Sequence, residues 1–349
     1  MGHGIVPPYL LARIARLDDS RFATAAAAAR NALEHDASVR AVRLTFSFDE
    51  SEQLVAELEA GPDRTITDAA GTESLPGRVA RREGEPPVDD AAVDEAYDGL
   101  GATFALFQQS YGRNSIDGAG LPLDATVHYG TLYDNAFWNG ERMVFGDGDG
   151  EIFASFTRSL SVIGHELTHG VTQFTAGLVY RDQSGALNES VSDVFGALVE
   201  QHFRGETASE ASWLIGEGVF TDEVEGSALR SMREPGSAYD DDVLGKDPQP
   251  GHVDDYIETD DDNGGVHLNS GIPNRAFYLA AAELGGNAWE RAGQIWYDTI
   301  TGPQLTARAD FEAFARATVA AAVARYGARS DEVLAVQLGW DGVGVRHGG

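Results

Sequence analysis

Five consecutive residues, His165-Glu166-Leu167-Thr168-His169, form the first chemically suggestive pattern in the chain. They lie in a segment whose apolar residues Leu160, Ile163, Leu167, Val171 and Phe174 recur at helical spacing. On a helix, imidazoles four residues apart project from one face about one turn from each other, so both can reach one zinc ion. A catalytic zinc takes three protein ligands and keeps a fourth position for water, so a further ligand must come from elsewhere. Beyond a loop through Gln183-Ser184-Gly185, a second helical pattern carries Asn188, Glu189 and Asp193, the two acids again four residues apart. Two antiparallel helices joined by such a loop bring Glu189 opposite the histidines. Asp193 can then accept the remaining N–H of His165 and fix its tautomer. Taken alone, Glu189 and Asp193 suit a solvated helix face better than a ligand role; the neighbouring histidine pair reverses that preference. The extended zinc signature with a third histidine fails, because Thr172 stands where it needs glycine and Thr175 where it needs histidine.

These residues must be positioned by a fold, and the chain of 349 residues is long enough for two or three structural units. Residues 1 to about 60 read as a small separate unit: a Pro7-Pro8 opening, a helix from Asp19 to His35, a strand-like Val39 to Phe48, and a helix from Glu50 to Ala60 that stops at Gly61-Pro62. From Thr65 to about Phe156 the pattern is β-rich, with short runs such as Ala125 to Tyr129 and Arg142 to Phe145 interrupted by one helix, Asp89 to Tyr111. Helical patterns dominate from Ser159 onward: Ser159 to Ala176, Ala186 to Phe203, Asn274 to Leu284, Ala288 to Thr299 and Asp310 to Tyr326. A β-rich half followed by an α-rich half is an α+β arrangement with its cleft at the junction, where the zinc pattern lies.

Composition narrows the partners. With 25 basic and 56 acidic residues the net charge is −31, and no Lys/Arg-rich run is present, so nucleic acid is not an expected partner. The absence of cysteine excludes disulfides, thiolate zinc ligands and a cysteine nucleophile. No apolar run approaches the length of a membrane span, and the first residues lack the basic leader and apolar stretch of a signal peptide. The expectation is a monomeric protein without membrane contact, either cytoplasmic or exported by a non-classical route.

Several segments together resemble the thermolysin-like zinc metallopeptidases: Asn135-Ala-Phe-Trp-Asn-Gly, Gly146-Asp-Gly-Asp-Gly, Gly164 to His169, Thr175 to Tyr180, Ser184 to Asp193, Leu229-Arg-Ser-Met232 and Asp262 to Gly271. The resemblance covers about residues 65 to 343 in the family's order. The opening Ile5-Val-Pro-Pro-Tyr-Leu-Leu11 is similar to the short propeptide of the protealysin-like branch. The resemblance implies a two-lobed catalytic unit, with a β-rich lobe over 63–180 that includes the zinc helix and an α-helical lobe over 181–349. Residues 1–62 would be a small α/β propeptide that covers the cleft and is removed by self-cleavage.

The same resemblance implies one zinc ion per chain held by His165, His169 and Glu189, with Asn188 and Asp193 supporting the ligands. Glu166 would take a proton from the attacking water, while Tyr180 and His267, the latter oriented by Asp262, would stabilise the oxyanion. Asn135 and Ala136 would hold the substrate backbone and Arg230 a substrate carbonyl. Phe153, Val162, Ile215, Val219 and Leu229 fall where the family builds its pocket for the residue after the cut, which predicts cleavage before a large apolar residue; ordinary core suits these five equally well. Calcium is not expected to bind tightly, because of the secreted members' acidic positions only Glu200 and Glu217 remain, beside Ser161, Ser212, Leu214 and Ser227. His35, His128, His202, His252 and His347 lack a spaced partner and read as structural or exposed, whereas His3 is a candidate for contact with the metal in the precursor. The resulting expectation is a self-inhibited zinc endopeptidase acting on peptides and proteins. A zinc aminopeptidase and a catalytically silent zinc-binding interaction protein are the alternatives.

Overall fold

The computed structural model describes residues 4–42 and 61–348, with side chains in the first stretch through residue 35. The expected helix from Glu50 to Ala60, residues 43–48 of the expected strand and the candidate His3 lie outside the described residues.

Residues 4–6 are buried, with Gly4 in an isolated β-bridge and the chain bending at Ile5 and Val6. Pro7 and Pro8 then open α1 (Pro8–Ile14), where proline's fixed φ suits the first helical position. The helix buries Leu10, Leu11 and Ile14 and packs on α2 (Ala23–Val42). Residues 39–42 therefore continue a helix where the sequence suggested a strand. The alanine-rich propensity upstream carries the helix through the β-branched Val39 and Val42.

The β-lobe is a five-stranded sheet in the order β2-β1-β3-β5-β4, made of β1 (Arg64–Asp68), β2 (Arg78–Arg82), β3 (Leu123–Val127), β4 (Ala136–Trp138) and β5 (Met143–Phe145). Strands β1, β3 and β5 run parallel, while β2 and β4 pair antiparallel to them at the two edges. Behind the sheet α3 (Ala91–Tyr111) packs on β1 and β3. It starts where the Asp90 side chain accepts the Val93 N–H, and it ends at Gly112 with φ 66°.

Two long helices follow, α4 (Leu160–Gln173) and α5 (Asp182–Arg204). They cross in backbone contact at two glycines. A Cβ on Gly196 would stand 2.5 Å from the Ser161 carbonyl oxygen, and one on Gly164 would stand 3.1 Å from the Gly196 Cα. This close crossing brings the acid-bearing face of α5 against the histidines of α4.

The remaining lobe contains two short hairpins, β6 (Leu214–Ile215) with β7 (Arg230–Ser231) and β8 (Asp240–Asp241) with β9 (Gly245–Lys246). Helices α6 (Asp262–Asn269), α7 (Gly271–Leu284), α8 (Ala292–Thr301), α9 (Phe311–Tyr326) and α10 (Asp331–Asp341) complete it. Their core is aromatic: Trp296 stacks on Trp340 with ring centroids 6.2 Å apart, and Phe277 and Phe314 pack edge-on to Trp296. Among the described residues no helix is long and apolar enough to cross a membrane.

Candidate active site

The zinc pattern occupies the buried face of α4, and each imidazole is oriented through its Nδ1. His165 Nδ1 lies 2.7 Å from Asp193 Oδ1, a carboxylate that can only accept. His169 Nδ1 lies 2.8 Å from Asn188 Oδ1 and 3.1 Å from the Ser192 hydroxyl. The Asn188 amide cannot be turned round, because its Nδ2 donates to the Leu178 carbonyl at 3.0 Å. Both Nδ1 atoms therefore carry the proton and both Nε2 atoms a lone pair. Asp193, fully buried, also accepts from Arg230 Nε at 2.9 Å, Arg230 Nη2 at 2.8 Å and Asn274 Nδ2 at 2.8 Å. Burial opposes its charge, but Arg230 and His165 outweigh it and hold the acid well below the usual carboxylate range.

The two lone pairs face each other, with His165 Nε2 and His169 Nε2 3.1 Å apart. Glu189 closes the triangle: Oε2 is 3.5 Å from His165 Nε2 and Oε1 is 3.4 Å from His169 Nε2. Glu189 Oε2 is buried and, among the described residues, meets no hydrogen-bond donor. Ligand atoms of a tetrahedral zinc ion with bonds of about 2.0 Å stand about 3.3 Å apart, so these three atoms match the edges of such a site. The electrostatics agree. Burial holds His169 neutral, with its pKa lowered to about 4. Burial would push Glu189 up, yet the surrounding positive charge, that of His267 foremost, lowers it to about 2. Glu166 also has an oxygen within 4.8 Å of the imidazole nitrogens, but its Oε2 accepts the Trp138 N–H at 2.9 Å. Glu189 has the spacing of a ligand, and Glu166 that of a neighbour to the open side.

Tyr180 and His267 complete the ring around this point. The Tyr180 hydroxyl donates to Glu189 Oε1 and lies 3.3 Å from His267 Nε2. Burial first, then the Glu189 and Asp262 carboxylates, keep the phenol well above its usual pKa and thus protonated. His267 is aimed by an unusual piece of backbone. Asp262, Asn263, Gly264 and Gly265 are all left-handed, with φ of 52°, 54°, 89° and 70°. This turn folds Asp262 back so that Oδ2 accepts the His267 N–H at 2.9 Å and Oδ1 meets its Nδ1 at 2.7 Å. Burial would drive His267 toward the neutral ring, but Asp262 and then Glu189 outweigh it and raise its pKa.

The cleft in front of these groups is filled by the chain's own residues 4–6, laid along the free edge of β4. Gly4 bridges Phe137 in antiparallel sense, the Ile5 N–H donates to the Ala136 carbonyl at 3.0 Å, and the Val6 N–H donates to Asn135 Oδ1 at 2.9 Å. The Ile5 carbonyl accepts from Arg230 Nη1 at 3.1 Å. Asn135, Ala136 and Arg230 thus hold a peptide backbone. Phe153, Val162, Ile215, Val219 and Leu229 are buried in the same apolar cluster as Ile5. Ile215 pairs with Arg230, which puts that part of the cluster beside the guanidinium that holds Ile5. An open cavity of about 710 Å³ between Arg181, Tyr256 and Arg308 shares none of these residues.

Four contacts escaped the sequence reading: Trp138 to Glu166, Ser192 to His169, Asn274 to Asp193, and the register of residues 4–6. Trp138 lies inside the quoted Asn135-Ala-Phe-Trp segment, so a signal was present there. Asn274 acts across 81 positions of chain and has no local signature. Of the other histidines, His35 packs on Tyr129 and Tyr133, His202 on Trp289, and His347 meets Asp341. His252 caps its own turn, whereas His128 is held between Asp147 and Asp90, at 2.9 and 3.1 Å.

Family models for the thermolysin metallopeptidase catalytic domain and for its alpha-helical domain match residues 55–173 and 176–345. An extracellular metalloprotease of Pectobacterium carotovorum subsp. carotovorum is 51% identical over 98% of this chain and 96% of its own length. Protease PrtS of Photorhabdus sp. (strain Az29) is 47% identical over 90% and 85%. The solved precursor of protealysin, a metalloproteinase from Serratia proteamaculans, superposes with a TM-score of 0.88 at 50% identity, covering 98% of this chain and 99% of that one.

Proposed function

Because the chain belongs to the thermolysin metallopeptidase family, and is a zinc-dependent endopeptidase in precursor form, we propose that His165, His169 and Glu189 hold one zinc ion and that Glu166 is the general base. The observation that carries this reading is the pair of imidazole lone pairs facing each other at 3.1 Å beside a buried carboxylate. His165, His169 and Glu189 would hold a zinc ion whose contribution would be to polarise the scissile carbonyl and to lower the pKa of a water toward neutrality. The chain's own groups do the rest. Glu166, anchored through the Trp138 N–H, takes the proton of the attacking water and passes it to the departing amine. The Tyr180 hydroxyl and His267 Nε2–H donate to the carbonyl oxygen as it becomes an oxyanion, and Asp262 keeps the His267 ring aimed and protonated.

Substrate is taken in the manner of residues 4–6, with backbone bonds to Ala136 and Asn135 and a carbonyl on Arg230. The side chain after the cut enters the apolar pocket of Phe153, Val162, Ile215, Val219 and Leu229, so Leu, Phe, Ile or Val is preferred there. Residues 1–62 act as the inhibitory segment and are removed by the enzyme itself near Gly61-Pro62; residues 63–180 and 181–349 form the two catalytic lobes. Calcium is not required. The Arg204 guanidinium lies 2.6 Å from Glu200 and 3.9 Å from Glu217, supplying from within the chain the charge that a divalent ion would bring.

The test pairs metal analysis with cleavage. One zinc per chain, casein hydrolysis abolished by a zinc chelator, and a shortened chain from the unmodified protein beside an intact Glu166→Ala precursor are expected. A processed, zinc-loaded chain that cuts nothing sinks the enzymatic reading in favour of a silent binder. Hydrolysis confined to peptides with a free amino terminus makes the protein an aminopeptidase instead.

A further inference from the structure

Behind the cleft edge, the segment Tyr133 to Asn135 is pinned to the run Gly146-Asp-Gly-Asp-Gly150. The Gly146 N–H donates to the Asn135 carbonyl at 2.9 Å and the Gly148 N–H to the Tyr133 carbonyl at 3.3 Å. The approach is so close that a Cβ on Gly146 would stand 1.9 Å from the Tyr133 oxygen. Asp134 is enclosed in this junction, fully buried, and among the described residues neither carboxyl oxygen has a hydrogen bond of good geometry; the backbone and carboxyl of Asp149 face it. It lies in hydrogen-bonding reach of Asp149. The Asp149 Oδ1 accepts the N–H groups of Glu151 at 2.6 Å, Ile152 at 2.6 Å and Phe153 at 3.3 Å, while its Oδ2 meets no donor among the described residues.

The ionisable groups that act most strongly on Asp134 are Asp149 and Glu151, both acidic. Two buried carboxylates in contact cannot both be charged; one proton must be shared or a cation must intervene. Three N–H donors favour the charge on Asp149, which leaves the proton on Asp134 and gives Asp149 Oδ2 its missing donor. Burial, and then Asp149, push Asp134 up to about 10.

We propose that Asp134 is a positioning residue: as a neutral carboxylic acid it donates to Asp149 and locks the segment carrying Asn135 to the loop carrying Glu151 and Phe153. Both partners of this lock touch the N-terminal segment, since Asn135 Oδ1 accepts the Val6 N–H and Glu151 Oε2 accepts the Ala25 N–H at 2.9 Å. The acid pair therefore lies beneath both docking points and beside the substrate-backbone acceptor. It also gives the Gly146-Asp-Gly-Asp-Gly150 run a mechanical role. The proposal rests on Asn135 binding substrate, but the shared proton is observable without any activity.

The full chain, carrying Glu166→Ala to prevent self-cleavage, is compared with and without Asp134→Asn. Its infrared spectrum at about pH 8 is expected to show a protonated carboxylic acid that Asp134→Asn removes. Asp134 has a raised folded pKa, so its contribution to stability is complete below the unfolded value of about 3.8 and is lost as pH rises through the folded one. The melting temperature of the Asp134 protein should thus fall relative to Asp134→Asn as pH rises from 5 toward 9. In processed enzyme Asp134→Asn, which keeps a donor, should leave KM within about twofold, whereas Asp134→Ala raises it about tenfold with a smaller change in kcat. Absence of the infrared band, its persistence in Asp134→Asn, or a second bound metal lost with Asp134 overturns the proposal. So does a KM raised as much by Asn as by Ala. If Asp134→Ala does not fold, the infrared and melting comparisons decide alone. An unmodified protein that shows the band but no hydrolysis defeats the enzymatic reading and not this one.

Discussion

Helix α5 carries a buried carboxylate cluster near each end, and the two are neutralised in opposite ways. Toward its start, Glu189 meets three imidazoles and a phenol. Every other donor nearby is already committed: Arg230 and Asn274 go to Asp193, and Asn188 holds the ring of His169. Toward its end, Glu200 takes the guanidinium of Arg204 from the next turn of the same helix, with Glu217 on the far side of that cation. A buried carboxylate needs a compensating charge. Where the chain supplies its own, the cluster is structural and closed. Where two imidazoles, His165 and His169, turn lone pairs toward the carboxylate, the set fits an ion from solution, and a coordination position would stay available for chemistry.

The sharpest way to break this contrast is at Glu166. Glu166→Gln should lower peptide hydrolysis by about 10²- to 10⁴-fold with one zinc still bound, the loss expected of a general base. If zinc content falls in parallel, Glu166 is a ligand and the open cluster has been misassigned. A smaller effect is expected at the other end of the helix. Arg204→Met leaves Glu200 buried without its cation and should cost on the order of 1–3 kcal/mol in thermal unfolding, with hydrolysis at low temperature unchanged. Calcium should not alter the melting point of the unmodified protein; a rise on adding it would show that the closed cluster accepts an external ion after all.

His128 supplies a third, weaker case, in which the compensating charge is a proton. Burial lowers its pKa, but Asp147 and Asp90 outweigh that and leave it raised. The stabilisation is complete below the unfolded value of about 6.5 and is lost as pH rises through the folded one. His128→Asn should flatten that part of the stability profile by less than about 1 kcal/mol, since the pair is partly exposed.

The spacing of His165, His169, Glu189 and Asp193 was legible because helical periodicity converts sequence separation directly into direction. Most helices were found within a few residues of their limits for the same reason. Helix α10, begun by a Ser330 side chain that accepts the Val333 N–H, was not anticipated. Neither were α1, masked by its prolines, or the two-residue hairpins, which are too short to carry a pattern. The parallel order of β1, β3 and β5 depends on pairing across tens of residues. Asn274, the Trp138 N–H and the shared environment of Asp134 and Asp149 belong to the same class. Each is set by the meeting of distant segments, and single-residue propensities do not encode it.

The occupancy of the cleft by residues 4–6 has a consequence for how latency ends. An occupant joined covalently to its site experiences a millimolar effective concentration at any dilution of the protein. A single cut between the N-terminal segment and the lobes turns that into an ordinary two-body equilibrium. At about 1 μM protein the driving concentration drops roughly a thousandfold. A released segment whose dissociation constant lies between those two concentrations need not be degraded, because dilution alone frees the cleft. Activation then behaves as a ratchet that advances when the protein moves from a concentrated compartment to a dilute one, and a concentrated sample of fully cut chains stays partly silent.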